Sequence, residues 1–375
     1  MKILLVGAGG YGALYVRELL KLSDPDVNLE GIVEPYFDTC ATKADILAAN
    51  IPVYKTMEDF YSKRQADLAI IVTPTFLHKE MSLCALSHGS YVLCEKPVSS
   101  TVSDANAMLD AEKQYGKWIA IGYQWSFSEA IQELKKDIIS GALGAPLSLK
   151  TAISWPRNRA YYQRGGGWGG RISRDGVMIL DSIASNACAH YLHNMLFVLG
   201  ESMEESAAVE SFEAECYRAN DIENFDTCSL KLKAKGVPLY FIASHAADKH
   251  KNPVFLYKFE NADVTFSQSE GSQIKAVFKD GTEKCYGDPF KDGFKKVTDC
   301  IDSIRNGTSP VCRVKTAIPH AGFIEELYRT TKIVDFPKEA ITENAKQDGV
   351  CINGLFDAMY KAYEAETMLS ETIKF

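Results

Sequence analysis

Short apolar runs alternate with amphipathic stretches over the first third of the chain. Lys2 to Val6 reads as a buried strand, and Gly7-Ala8-Gly9-Gly10-Tyr11-Gly12 separates it from a helical pattern through Leu14, Leu19 and Leu20. Leu29 to Glu34, Ile51 to Tyr54, Asp67 to Val72, Tyr91 to Cys94 and Trp118 to Gly122 repeat the strand signal, with helical segments between them. Alternation of this kind predicts a parallel, doubly wound sheet. A helix predicted from Phe127 to Ile139 ends at Ser140-Gly141, and the domain boundary is placed just before it, near residue 124.

The pattern then changes. Cys228 to Lys233, Leu239 to Ser244, Val254 to Glu260 and Ile274 to Phe278 are β-rich and partly alternating, which predicts an antiparallel sheet. Asp280-Gly281 joins the last of these to Thr282 to Tyr286 as a two-residue hairpin. A long helical segment, about Ile183 to Leu199, precedes these strands, and helical patterns return near Phe290 to Arg305, Thr316 to Thr330 and Leu355 to Leu369.

Composition narrows the class. A chain of 375 residues with 46% hydrophobic content can bury a large core, and its length suits two domains. The balance of 41 basic against 49 acidic residues gives a charge of -8 with no basic run, which argues against a nucleic-acid partner. The apolar stretch Ile3 to Val6 is too short for a signal-peptide core or a membrane span. Ten cysteines without a C-x-x-C pair read as reduced core residues. They point to the cytoplasm and away from a structural zinc site.

The glycine run has the form of a dinucleotide fingerprint. Gly7, Gly9 and Gly12, with Gly10 and Tyr11 between them, permit a tight turn, let a pyrophosphate approach the backbone and bring strand and helix together. Glu34 stands 22 residues beyond Gly12, close to the spacing expected for an acid that binds the ribose hydroxyls. No arginine follows to accept a 2'-phosphate, so NAD is favoured over NADP. Thr73 and Pro74 close the fourth strand, and His78 begins the next helix; these residues are candidates to line the nicotinamide half of a cofactor cleft. Glu95-Lys96-Pro97 follows the apolar run ending at Cys94, which would place Lys96 at the carboxyl edge of the sheet. There Lys96 can hydrogen-bond a substrate oxygen and stabilise a forming alkoxide, with Glu95 as its partner or a cofactor contact.

In the predicted helix 183–199, Asn186, His190 and His193 fall at spacings of four and three, which would set them on one face. The ordinary pKa of a histidine suits His190 to exchange a proton with a carbinol at neutral pH. A third ligand of matching spacing is lacking, so no metal site is expected there. Residues 155–174 form a glycine-rich segment carrying Trp155, Arg157, Tyr161 and Trp168. Its rings can stack on sugar faces and its guanidinium groups can bond a polyhydroxy or acidic substrate. Arg157, Tyr161, Trp168, Asp181 and His193 are the candidate substrate contacts.

Taken together, the fingerprint, Thr73-Pro74 to His78, Val92 to Pro97, Ile121-Gly122-Tyr123-Gln124, Ser140 to Gly144 and the helix leading to Leu199-Gly200 resemble the Gfo/Idh/MocA family. That resemblance implies an α/β fold: an N-terminal Rossmann domain, here 1–124, followed by an α+β domain, here 125–375, with a large open, mostly antiparallel sheet used for binding substrate and for homo-oligomerisation. It implies NAD(P)-dependent oxidation or reduction at a CH–OH group of a sugar, cyclitol or related polyol. By similarity Lys96 matches the family's catalytic lysine and His190 its catalytic histidine. Asn186 stands where the family usually has an aspartate, and an amide can orient an imidazole without stabilising its cation. Asp181 is a possible substitute. Gln124 stands where many members carry a short amide and is expected to reach cofactor or substrate. Two other functions stay open: a glycosidase that uses NAD transiently, and a non-catalytic dinucleotide or sugar sensor.

Overall fold

A computed structural model of the protein describes residues 1–345 and 348–374. Six strands form the first sheet: β1 (Lys2–Val6), β2 (Asn28–Val33), β3 (Val53–Tyr54), β4 (Leu68–Ile71), β5 (Tyr91–Cys94) and β6 (Ile119–Ile121). They lie in the order β3-β2-β1-β4-β5-β6, with every pairing parallel. Residues 3–6 of β1 and all of β4 are buried, which is why these strands read as continuous apolar runs rather than alternating ones. The order reverses between β1 and β4, so the connections leaving these two strands diverge at the carboxyl edge. Such a switch point is the usual ligand position of open parallel sheets.

Met1–Tyr123 and Phe294–Ile318 make one compact unit; Gln124–Gly293 and Pro319–Phe375 make the other. The division expected at 124/125 assigned the whole of 125–375 to the second domain, whereas Phe294–Ile318 rejoins the first unit. The cause is local. Helix Lys295–Asn306 turns Val297, Cys300 and Ile301 inward, and the segment after it pairs Arg313 with Ala120, Ile121 N donating to Cys312 O at 2.9 Å. The outer edge of β6 is thereby covered rather than left as an open row of donors and acceptors.

The second unit is built on β7 (Pro146–Ser154), β8 (Ser173–Arg174), β9 (Val177–Met178), β10 (Ser211–Arg218), β11 (Thr227–Ala234), β12 (Val237–Ser244), β13 (Lys251–Phe259), β14 (Ala262–Ser267), β15 (Ile274–Phe278), β16 (Glu283–Gly287) and β17 (Ile333–Asp335). Nine of these form one sheet in the order β16-β15-β14-β13-β7-β12-β11-β10-β17, antiparallel except at β7–β12 and β10–β17; β8 and β9 form a separate hairpin. Side chains on β12 alternate as the pleat requires. Leu239, Phe241 and Ala243 enter a core that includes Leu134, Leu192 and Met195, while Tyr240 and Ile242 pack with Leu355 and Met359.

Three local expectations change. The turn between β15 and β16 has three residues, Phe278 N donating to Thr282 O across Lys279, Asp280 and Gly281, with Gly281 at φ 86°. The expected helix 183–199 is interrupted: a wide π-helical turn, Ile183–Ala187, is capped by Ser182 and Ser185, and Cys188 at φ -102° separates it from helix Ala189–Val198. The glycine-rich segment 155–174 contains a helix, Arg159–Gly167, capped by the Asn158 side chain, which accepts from Tyr161 N at 2.9 Å.

Candidate functional site

In the first unit, the glycines of the turn divide by what requires them. Gly7 has φ 92° and a Cβ there would lie 2.4 Å from Val72 O; a Cβ on Gly12 would lie 2.2 Å from Gly7 O. The fold itself excludes side chains at both. At Gly9 the nearest atom to such a Cβ, Glu34 Oε2, is 3.8 Å away. Packing within the protein therefore leaves position 9 free, whereas a pyrophosphate approaching the backbone would fill that space. Thr73 Oγ1, at the end of β4 beside Gly7, is buried without a hydrogen-bond partner among the described residues. Glu34 follows β2, its Oε2 accepting from Ala8 N (2.9 Å) and Gly9 N (3.1 Å), its Oε1 from Tyr36 N (2.9 Å). Its carboxylate is thus held against the turn, where it suits a ribose diol and opposes a 2'-phosphate. Tyr11 is 46% exposed, its ring edge-on to Tyr15. These residues fit NAD.

Beyond β5, Glu95 is buried and accepts from the Tyr15 hydroxyl (2.5 Å), from the Lys296 ammonium and from Lys96 N (3.1 Å). Burial alone would raise its pKa, but Lys296 and Tyr15 outweigh that and hold it below the usual carboxylate value. Burial pulls Lys296 down while Glu95 and Tyr11 pull it up, with a net rise, so the pair stays ionised. A Cβ on Gly122 would press within 2.9 Å of Glu95 Oε1. Glu95 therefore fixes the backbone of half-buried Lys96 from beneath. His78, expected among the cofactor contacts, is 1% exposed, with Nδ1 2.8 Å from Pro97 O and Nε2 2.9 Å from Thr73 O. Neither nitrogen is left for a cofactor; the ring ties the loop after β4 to the loop carrying Lys96. Burial pushes its pKa down against the pull of both carbonyls.

In the second unit, Asp181 is buried and accepts from Arg164 Nη2 (3.1 and 2.9 Å), Gly170 N (2.7 Å) and Asn186 Nδ2 (2.6 Å). Asp181, expected as a substrate contact, holds Asn186 and the segment around Gly170. Arg164 lies over the rings of Tyr161 and Trp168, 3.9 and 4.3 Å from their centroids. The break at Cys188 removes the continuous helix that would align Asn186, His190 and His193. His190 is half-buried, whereas His193 is 1% exposed, stacked on Phe197 and 3.2 Å from Ser126 Oγ. His193 is a core residue here, not a substrate contact, and burial pushes its pKa well down. Gln124 opens the second unit as the first residue of a short 3-10 helix, Gln124–Phe127. Arg157 and Tyr161 lie together, the guanidinium 4.8 Å from the ring centroid.

Lys296 and His245 did not emerge from sequence reasoning. Lys296 left a signal: with Cys300 and Ser303 it follows helical spacing along the buried stripe of Lys295–Asn306, where an ammonium requires a buried counter-charge. His245 left none, since its neighbours Ser244 and Ala246 carry no pattern.

Residues 1–123 match the Gfo/Idh/MocA profile, described as oxidoreductase family, NAD-binding Rossmann fold. The rhizopine catabolism protein MocA of Rhizobium meliloti is 29% identical over 166 residues, covering 44% of this chain and 50% of that protein. An inositol 2-dehydrogenase of Salmonella typhimurium is 26% identical over 148 residues, covering 39% and 44%. The chain thus spans about half the length of these curated relatives. The WlbA dehydrogenase of Bordetella pertussis, solved in complex with NADH and UDP-GlcNAcA, superposes with a TM-score of 0.74 at 20% identity over 88% of this chain and 95% of that one, a likeness of fold. Residues 1–123, with their fingerprint turn, ribose acid and parallel sheet, thus match the Gfo/Idh/MocA oxidoreductase family with its NAD-binding Rossmann fold.

Proposed function

We propose that the protein is an NAD-dependent dehydrogenase acting on a CH–OH group of a sugar, cyclitol or sugar derivative. The observation that carries this reading is Lys96, placed at the carboxyl edge of an NAD-type sheet by a buried acid and braced by His78 through Pro97 O. NAD, when bound, supplies the acceptor for the carbinol hydride. His190 takes the hydroxyl proton, and the Lys96 ammonium donates a hydrogen bond to the oxygen as negative charge develops on it. Asn186, tethered to Asp181, sits in the π-helical turn just before the helix of His190 and orients rather than titrates. The substrate is oxidised to the carbonyl compound, with one hydride leaving carbon and one proton leaving oxygen.

The names of the relatives, inositol 2-dehydrogenase among them, support a polyol substrate. Ten free thiols suit a reducing cytoplasm, and among the described residues no helix is long and apolar enough to cross a membrane. We assign the open nine-stranded sheet to homo-oligomer formation and the second unit to substrate binding.

The test is a panel of sugars, cyclitols and sugar acids with NAD and NADP, followed at the NADH absorbance band. NAD-linked turnover is expected, with Lys96→Ala and His190→Ala each lowering kcat/KM by about 10²- to 10⁴-fold. Unchanged turnover in both variants, or release of a leaving group without net NADH, overturns the assignment.

A further inference from the structure

β7 and β12 are parallel neighbours, Ser154 opposite Ser244, so the residues that follow them leave the sheet side by side. Trp155 N donates to Ser244 O at 2.9 Å and Arg157 N to His245 O at 3.1 Å. Five arginines lie between residues 157 and 174. Four have a carboxylate partner: Arg159 with Glu343 and Asp348, Arg164 with Asp181, Arg171 with Glu223, Arg174 with Asp175. Arg157 has no ion-pair partner among the described residues. Its guanidinium lies near the rings of Trp155 and Tyr161, 5.4 and 4.8 Å from their centroids, and its Nε is buried without a hydrogen-bond acceptor among the described residues.

His245 is 2% exposed. Its Nδ1 lies 2.8 Å from Trp155 O, an oxygen that can only accept, so the ring carries its proton on Nδ1. Burial and the neighbouring Arg157 push its pKa down to about 3 and keep the ring neutral. Nε2 is then a lone-pair acceptor, and it is buried with no donor among the described residues. An unsatisfied buried acceptor beside an unpaired guanidinium is costly without a ligand or water that answers both.

We propose that Arg157 and His245 form a subsite for a hydroxy-carboxylate, so that the substrate of the proposed dehydrogenase is a sugar acid. The carboxylate accepts from the guanidinium, and a neighbouring hydroxyl donates to His245 Nε2. Trp155 lies edge-on to Tyr191, ring centroids 5.6 Å apart, which links the subsite to the helix bearing His190. This assignment rests on the dehydrogenase reading for its catalytic meaning, but the binding itself can be read separately.

Isothermal titration of the full chain saturated with NADH, which cannot accept a hydride from a carbinol, using D-glucose, D-glucuronate and D-gluconate as probes, tests it without oxidative turnover. At least one acid is expected to bind ten-fold or more tightly than glucose. The acid-to-neutral ratio falls to within two-fold of unity in Arg157→Gln and is partly kept in Arg157→Lys, which also guards against misfolding. His245→Phe weakens binding of the preferred acid by ten-fold or more. Equal affinity for acids and glucose in the wild-type chain, or an acid preference that survives Arg157→Gln, overturns the subsite and would leave a water as the partner of His245. Arg157-dependent acid binding with no NADH formed on any substrate would sink the dehydrogenase reading alone; NADH formation on neutral sugars with no acid preference would sink the subsite alone.

Discussion

Glu95 and Lys296 carry the largest electrostatic stake in the first unit, because both are nearly inaccessible to water and each is the other's main counter-charge. Removing one partner leaves a buried, uncompensated ion, which costs about 3–5 kcal/mol, whereas replacing both with neutral groups of similar volume costs far less. Lys296→Met is therefore expected to lower stability by about 3–5 kcal/mol in denaturant unfolding, and the double change Glu95→Gln with Lys296→Met to recover most of it. Acid dependence follows from the same pair. The folded pKa of Glu95 lies below its unfolded value, so the stabilisation is present above the unfolded value of about 4.3 and is lost as pH falls through the folded one. That acid-side loss should flatten in the double variant. A Lys296→Met chain as stable as the wild type would show that the pair contributes nothing. The strand-end positions of Glu34 and Lys96 were legible from the sequence, since each follows a strand whose apolar run marks its end. Lys296 was legible only in part, because an exposed and a buried lysine differ by one helical position.

Among the elements, the period-2 and continuous apolar patterns brought out both sheets because burial on two faces leaves a run of side chains that no helix period mimics. The π-turn before Cys188 stayed hidden, since inserting one residue into a helical ladder alters hydrogen bonding without altering composition. Helix Arg159–Gly167 stayed hidden for the opposite reason: its last three residues are glycines, the poorest helix formers after proline, and it depends on the Asn158 cap and on Arg164 held by Asp181. The strand-turn-helix of the fingerprint offers a sharper contrast. Gly12→Ala forces a methyl to 2.2 Å from Gly7 O and is expected to cost at least about 2 kcal/mol of stability. Gly9→Ala meets nothing nearer than 3.8 Å, so its unfolding midpoint should hold while NAD affinity falls ten-fold or more. Fluorescence titration with NAD beside thermal unfolding separates the two. Gly9→Ala binding NAD as the wild type does would remove the pyrophosphate from that side of the turn.

At the scale of the whole molecule, the first unit is discontinuous in sequence, and no pattern within 1–124 reveals that it needs a segment from near residue 300. Three groups depend on that segment. Glu95 needs Lys296; Glu112, which also accepts from Ile119 N, needs Arg313 at 2.9 Å; and Ile121 N on edge strand β6 donates to Cys312 O. A chain of residues 1–124 keeps the entire sheet and fingerprint yet strands two buried carboxylates and opens the edge of β6. The loss of Lys296 alone is worth about 3–5 kcal/mol, a large share of the roughly 5–15 kcal/mol that holds a typical domain together. Residues 1–124 are therefore expected to lack a cooperative unfolding transition and to bind NAD far more weakly than the full chain. Glu95→Gln and Glu112→Gln together should restore part of the transition by removing the stranded charges. Circular dichroism through a urea titration decides it. If residues 1–124 unfold cooperatively at the midpoint seen for the first unit within the full chain, the returning segment is dispensable and its buried ion pairs are passengers of the fold.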